Sequence, residues 1–258
     1  MALDVLRRTR PRLPVGLQLP DGASVGYRSR IDVRTGVIAQ SEVALRWDHP
    51  AIGVLHGRKA LAQADADGYG RVLTHWLVEM ACRQALVWRA NTARRPSGVS
   101  APLTDEQLAS ADVAATVAAV LARTGAPADL LTVQVAASAL DAPSTRDAVV
   151  GLAALGVRVA AETDGTAARS LALAQALPVS ELLLDVGALS RSSADLEFAR
   201  ALCVVAARTG LTPVAVGVDD SASAALLAEL GVTVAQGDAI APLVPGDRLG
   251  EWLGAGAR

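Results

Sequence analysis

A chain of 258 residues that is 52% hydrophobic can bury a sizeable core, and a net charge of −2 excludes a global electrostatic pull toward nucleic acid or an anionic membrane. Aromatics make up only 3%, so the interior must be built from Ala and Leu in helices and Val in buried strands. Cys82 and Cys203 lie far apart, outside any C-x-x-C pattern and in apolar surroundings, and read as structural thiols of a reducing cytoplasm.

Residues 1–22 are basic and Pro-rich, with Arg7, Arg8, Arg10 and Arg12 and no apolar run behind them, so they read as an arm rather than a secretory signal. Residues 23–258 read as one domain. Val25–Val33 and Val37–Leu45 are strand-like and flank a turn at Asp32 to Gly36, which predicts an opening antiparallel hairpin. Arg58–Ala66 and Arg71–Ala90 follow as helices. In the second, Val72, Trp76, Met80 and Val87 are expected on the buried stripe, with Arg71, Glu79 and Arg83 outside it.

From there strand and helix alternate. Val99–Leu103 is a strand, and Thr104 with Gln107 forms a capping-box pattern that opens a helix interrupted once before Arg123. Leu130–Ala136, Val157–Ala161, Leu182–Asp185, Val214–Val218 and Thr233–Gln236 read as strands. Ser144–Leu155, Ala167–Ala176, Ser192–Arg208 and Ser221–Leu230 read as helices, with a last short one at Arg248–Leu253. Units recurring every ~25–30 residues with continuous apolar strands imply a parallel sheet covered by helices, closed into a barrel of one domain. The apolar windows Ala148–Ala161 and Ala201–Val218 are broken by Gly, Arg158 and Arg208 and fall short of the ~20 residues of a membrane span.

Functional residues of such a barrel lie at the C-terminal ends of the strands. There the chain offers Glu42, Arg46, Pro102, Gln134, Glu162, Asp164, Asp185, Asp219 and Gln236. Glu42 and Arg46, within EVALRWDHP, suit either a phosphate-handling site or a structural ion pair closing the barrel mouth. His56 and His75 have no partner at metal-ligand spacing, His49 fits the turn after its strand, and no serine sits in a nucleophile-elbow pattern.

The ordered set of motifs resembles the EAL family of cyclic-di-GMP phosphodiesterases. EVALRWDHP, ACRQALVW (81–88), VSAPLTDEQL (99–108), LTVQVAASAL (131–140), GVRVAAETDGT (156–166), LPVSELLLD (177–185), VAVGVDD (214–220) and ELGVTVAQGDAIAPLVP (229–245) match family segments in order. The resemblance implies a modified (βα)8 TIM-like barrel with an antiparallel first strand. It also implies a site in which acids and amides hold two divalent cations around the attacking water.

The departures from the family pattern fall on that cage. Glu42 keeps the first ligand, but Pro102 stands for an Asn, Gln134 for a Glu, Glu162 and Thr163 for an Asp pair, Leu183 for a Lys and Val216 for a Glu, while Asp219 shortens a later acid. We therefore read Glu42, Gln134, Glu162, Asp164, Asp185 and Asp219 as a vestigial site, with no metal and no catalytic residue, and Arg46 as a phosphate-binding candidate. The expected function is a cytoplasmic, catalytically inactive bacterial signalling module with a protein partner. A non-hydrolysing cyclic-di-GMP receptor is the alternative, and a divergent phosphodiesterase using Mg²⁺ or Mn²⁺ the third reading. The family also implies a homodimer, although the altered segment Thr163 to Arg169 departs from the pattern at that contact.

Overall fold

The opening turn is held by the Asp32 carboxylate, which accepts hydrogen bonds from the amides of Arg34 (2.9 Å) and Thr35 (3.1 Å), and by Gly36 at φ 68°. It joins β1 (Ala23–Asp32) to β2 (Val37–His49) as an antiparallel pair in which Arg28 stands opposite Glu42 and Arg30 opposite Gln40. The computed structural model describes residues 18–92, 98–163, 168–189 and 192–255. Asp164 and most of the basic arm lie outside these. The arm's last residues are packed: Leu19 rests on the core, and the Trp47 indole donates to the Asp21 carbonyl (3.0 Å).

The remaining strands are β3 (Gly53–His56), β4 (Val99–Pro102), β5 (Leu131–Ala136), β6 (Arg158–Thr163), β7 (Glu181–Asp185), β8 (Thr212–Val216) and β9 (Val234–Ala235). Strand order runs β1-β9-β8-β7-β6-β5-β4-β2, and the β1–β2 pairing closes it into a barrel. β1 is antiparallel to both of its neighbours, whereas the pairs from β2 through β4 to β9 are parallel. The expected barrel with a reversed first strand is therefore what the chain forms. β3 is an addition: it pairs antiparallel with the upper half of β2, outside the closed ring. As a four-residue strand after a tight turn, it carries too little alternation to be read from sequence.

The helices are α1 (Gly57–Ala66), α2 (Gly70–Asn91), α3 (Asp105–Ala109), α4 (Val113–Thr124), α5 (Pro143–Ala154), α6 (Ala168–Ala176), α7 (Ser193–Arg208), α8 (Ser221–Leu230) and α9 (Gly246–Ala255). The capping box forms as predicted, with Gln107 N donating to Thr104 Oγ1 and Thr104 N to Gln107 Oε1. Outward-facing strand residues such as Val43, Leu45, Val133, Val159 and Leu182 form one core with the helices. Cys82 is buried there and Cys203 in a separate cluster with Leu184, Ala199 and Leu226, and burial pushes their thiols up to about 12 and about 11.

Helix α2 departs from the simple stripe. Val87 is exposed, and Glu79 is fully buried. Glu79 is tolerated because Arg83 Nε donates to Oε1 (2.7 Å) and Arg123 NH2, from α4, to Oε2 (2.9 Å). The same Arg123 nitrogen lies 2.7 Å from His75 Nε2, so that nitrogen must be the unprotonated acceptor. Desolvation, reinforced by the Arg123 charge, lowers the His75 pKa from its ordinary 6.5 despite the opposing pull of Glu79.

Two predictions follow from this cluster. Removing one member of a buried ion network leaves the others uncompensated, so Glu79→Ala should cost about 3–5 kcal/mol in urea unfolding. Because the folded-state pKa of His75 is depressed, its contribution is fully present above pH ~6.5 and declines below it, as the unfolded chain takes up the proton first. Thermal unfolding from pH 7.5 to 5.5 should show this loss, and His75→Gln should flatten it.

Candidate functional site

Strand parity aims Arg28 and Arg30 on β1, Gln40 and Glu42 on β2, Ser100 on β4, Thr132 and Gln134 on β5, and Glu181 on β7 into the barrel. Inside, one wall is polar and the other apolar. Ala160, Leu183, Val214 and Val216, with Val234 against them, cluster along β6 to β9.

The centre of the polar wall is Arg30, whose residue surface is wholly buried. Its Nε donates to Gln236 Oε1 (2.8 Å), and its NH1 to Gln40 Oε1 (2.6 Å) and Glu181 Oε2 (2.8 Å). Its NH2 faces Glu42 Oε2 at 3.8 Å. Gln40 extends the network by donating to Thr132 Oγ1 (2.9 Å).

Glu42 Oε2 also accepts from Gln134 Nε2 and Gln236 Nε2, each at 2.9 Å, and Gln134 donates as well to Ser100 Oγ (2.8 Å). The carboxylate is thus held by amide donors and a guanidinium. The Glu42–Arg46 ion pair, one of the two readings of that stretch, is not formed. Both side chains share a strand face, but four residues along a strand span ~13 Å. Arg46 instead lies 3.9 Å from Asp48 and is 41% exposed at its side chain. The cation beside Glu42 is Arg30, which sequence reasoning missed; the hairpin register shifts between Arg30 and Ile31.

The other acids at the strand ends have partners too. Glu162 is bridged by Arg58, from the first turn of α1. Arg28 pairs with Asp238 (2.9 Å) and approaches Asp219 (3.9 Å), and Asp219 Oδ1 also accepts the Asp238 amide (2.8 Å). Asp185 shapes a turn: its Oδ1 accepts from the amides of Gly187 (3.0 Å) and Ala188 (3.2 Å). A Cβ at Gly217, which sits at φ +70°, would come within 2.6 Å of that oxygen, so the two residues are coupled sterically.

His49 does stabilise the turn after β2. Its Nδ1 accepts from the amides of Ala51 (3.1 Å) and Ile52 (3.2 Å), which leaves Nε2–H to donate to Asp67 (2.9 Å). That bond is the main reason the Asp67 carboxyl sits below its usual range.

As a metal site these donors are unpromising. Pro102, Leu183 and Val216 supply no side-chain oxygen, Gln134 turns its NH2 toward Glu42, and Glu162 faces an arginine. Among the described residues no three His, Cys, Asp or Glu side chains gather closely enough to hold an ion.

A reversed-first-strand barrel with Glu42 at its mouth defines the class, and the EAL domain model matches residues 20–243. The chain belongs to the EAL domain family. It is 26% identical over 240 residues to an uncharacterized protein of Mycobacterium tuberculosis, covering 91% of this chain and 38% of that one, so it spans well under half of that relative's length. It is similar to the Pseudomonas aeruginosa MucR phosphodiesterase in its c-di-GMP complex, with TM-score 0.78 and 26% identity over 88% of this chain and 94% of that one. It also resembles the EAL domain of Mycobacterium smegmatis DcpA, with TM-score 0.72 and 27% identity over 92% and 99% of the two chains.

The Arg30 network predicts a pairwise dependence. Arg30→Met leaves Glu42 and Glu181 without their buried cation and should destabilise the fold by about 3–5 kcal/mol. Adding Glu181→Met should recover part of that loss, so that a double-mutant cycle in urea reads a coupling energy well above the ~0.5 kcal/mol of independent sites.

Proposed function

We propose that this EAL domain is a catalytically inactive, regulatory or protein-interaction module of cyclic-di-GMP signalling. The observation that carries this is the state of Glu42. A hard divalent cation needs several oxygen ligands, yet the best-placed carboxylate has its inward oxygen occupied by two amide donors and faced by a buried guanidinium. Two-metal hydrolysis needs both the attacking and the leaving oxygen clamped. Converting this mouth would require breaking the Glu42 contacts and the Arg58–Glu162 bridge for each ion bound.

A second reading, a receptor that binds cyclic-di-GMP without cutting it, is favoured by Arg46. Its half-exposed guanidinium on the same strand face as Glu42 is held only loosely by Asp48, and its planar fork suits two phosphate oxygens. The MucR domain of known structure is described in a complex with this nucleotide.

With Mg²⁺ or Mn²⁺ at saturating concentration, the purified chain should release no linear product from cyclic-di-GMP above a no-protein control. Turnover abolished by Glu42→Ala would sink the inactive reading. If cyclic-di-GMP binds through Arg46, Arg46→Ala should weaken it about tenfold, the loss of one or two charge-assisted hydrogen bonds.

A further inference from the structure

We propose that His49 is a proton-operated latch on the turn between β2 and β3: the neutral ring closes the turn and the imidazolium releases it. This goes beyond the reading of the mouth and does not depend on what the barrel binds. In the neutral ring Nδ1 accepts from the amides of Ala51 (3.1 Å) and Ile52 (3.2 Å), while Nε2–H donates to Asp67 Oδ2 (2.9 Å). Both turn bonds need the lone pair of Nδ1. An imidazolium carries a proton on each nitrogen and accepts no hydrogen bond. One proton therefore ends both turn contacts at once and sets Nδ1–H against two N–H groups.

The surroundings decide which side of the ring lets go. Asp67, at the C-terminal end of α1, faces Nε2, and a carboxylate holds an imidazolium more strongly than a neutral ring. On the ring's own strand Trp47 lies edge-on to it with centroids 4.5 Å apart, and Tyr69, after α1, packs edge-on to Trp47 at 5.9 Å. Among the described residues no Lys or Arg forms an ion pair with His49 or Asp67. Pro50 to Val54 are all exposed, so the Ala51 and Ile52 amides can turn to water. The turn yields while the Asp67 contact stays. Its release reaches further than two residues. The turn sets β3 against β2, with Gly53 opposite His49 and Val54 opposite Asp48, and β3 runs without a break into α1. His56 is the other titratable group on β3; it is exposed and stands opposite Arg46.

Nitrogen-15 NMR of the intact chain from pH ~8 to ~5 tests this, reading the His49 ring nitrogens and the exchange protection of the Ala51 and Ile52 amides in the same samples. The expected result is an unprotonated Nδ1 at the upper end. Both amides should then lose protection about tenfold or more, with the same midpoint as ring protonation, for the loss of the two turn hydrogen bonds. His49→Asn places an acceptor oxygen where Nδ1 stood and should keep both amides protected throughout. His49→Leu should leave them open at every pH. Asp67→Asn takes the carboxylate from the imidazolium and should move release to lower pH, whereas His56→Gln should change nothing. Circular dichroism over the same range separates release of the turn from general unfolding, and the unaltered chain alone decides where a variant fails to fold. Four results overturn the proposal: a protonated Nδ1 at pH ~8, amides that stay protected while the ring takes up its proton, a ring that stays neutral down to acid unfolding, or release that persists in His49→Asn.

Discussion

A guanidinium buried inside a barrel is the constraint around which the rest of this structure is arranged. Arg30 is wholly out of solvent, and an isolated charge there would cost many kcal/mol. Its neighbours compensate the charge: Gln236, Gln40 and Glu181 accept hydrogen bonds from Nε and NH1, while NH2 faces Glu42 at 3.8 Å. Those contacts tie the reversed strand β1 to β2, β7 and β9 across the barrel interior. The register of the hairpin and the closure of the ring are therefore linked to one side chain. A shift of one residue would turn Arg30 outward and take from Glu181 its 2.8 Å contact, leaving Arg158 at 4.0 Å.

The same arrangement separates two jobs that a strand-end carboxylate can do. Glu42 is held by Gln134 and Gln236 through their NH2 groups, and those amides are in turn fixed by Ser100 and Arg30. Glu42 and the two amides are bonded to one another, and a hydrogen-bonded buried polar network rigidifies its surroundings. Leu183, Val214 and Val216 complete the opposite wall, where a dry surface lowers the local dielectric and strengthens the hydrogen bonds beside it.

Much of this was legible in the sequence. The hairpin, the alternation of strand and helix, the capping box at Thr104 and the family membership all came from local chemistry and motif order. What escaped was which charges meet. A structural Glu42–Arg46 pair was one reading of a carboxylate and a guanidinium at one strand end, but four residues along a strand hold their side chains ~13 Å apart. Glu79 was assigned to the surface because a carboxylate alone belongs there, and its burial depends on Arg123, 44 residues away. Arg58 and Glu162 are 104 residues apart. Arg30 opposite Gln40 escaped as well, because counting back from the turn sets Arg30 against Ala39, and a register shift between Arg30 and Ile31 brings Gln40 there instead.

These pairings also bear on how a barrel of this family can stay folded with a changed mouth. Clustered carboxylates repel one another unless a cation sits among them, so a metal cage is also an electrostatic load on the fold. In this chain the load is smaller, because Pro102, Gln134, Thr163, Leu183 and Val216 carry no charge. What remains is offset in part within the polypeptide: Glu42 and Glu181 by Arg30, Glu162 by Arg58, and Asp219 with Asp238 by Arg28. Covalently attached cations do not dissociate, so these ion pairs form part of the folded state itself, in contrast to contacts made by a metal that binds only the native state. Each of these arginines brings N–H donors in a fixed planar geometry, so the contacts it makes with a carboxylate are directional as well as charged.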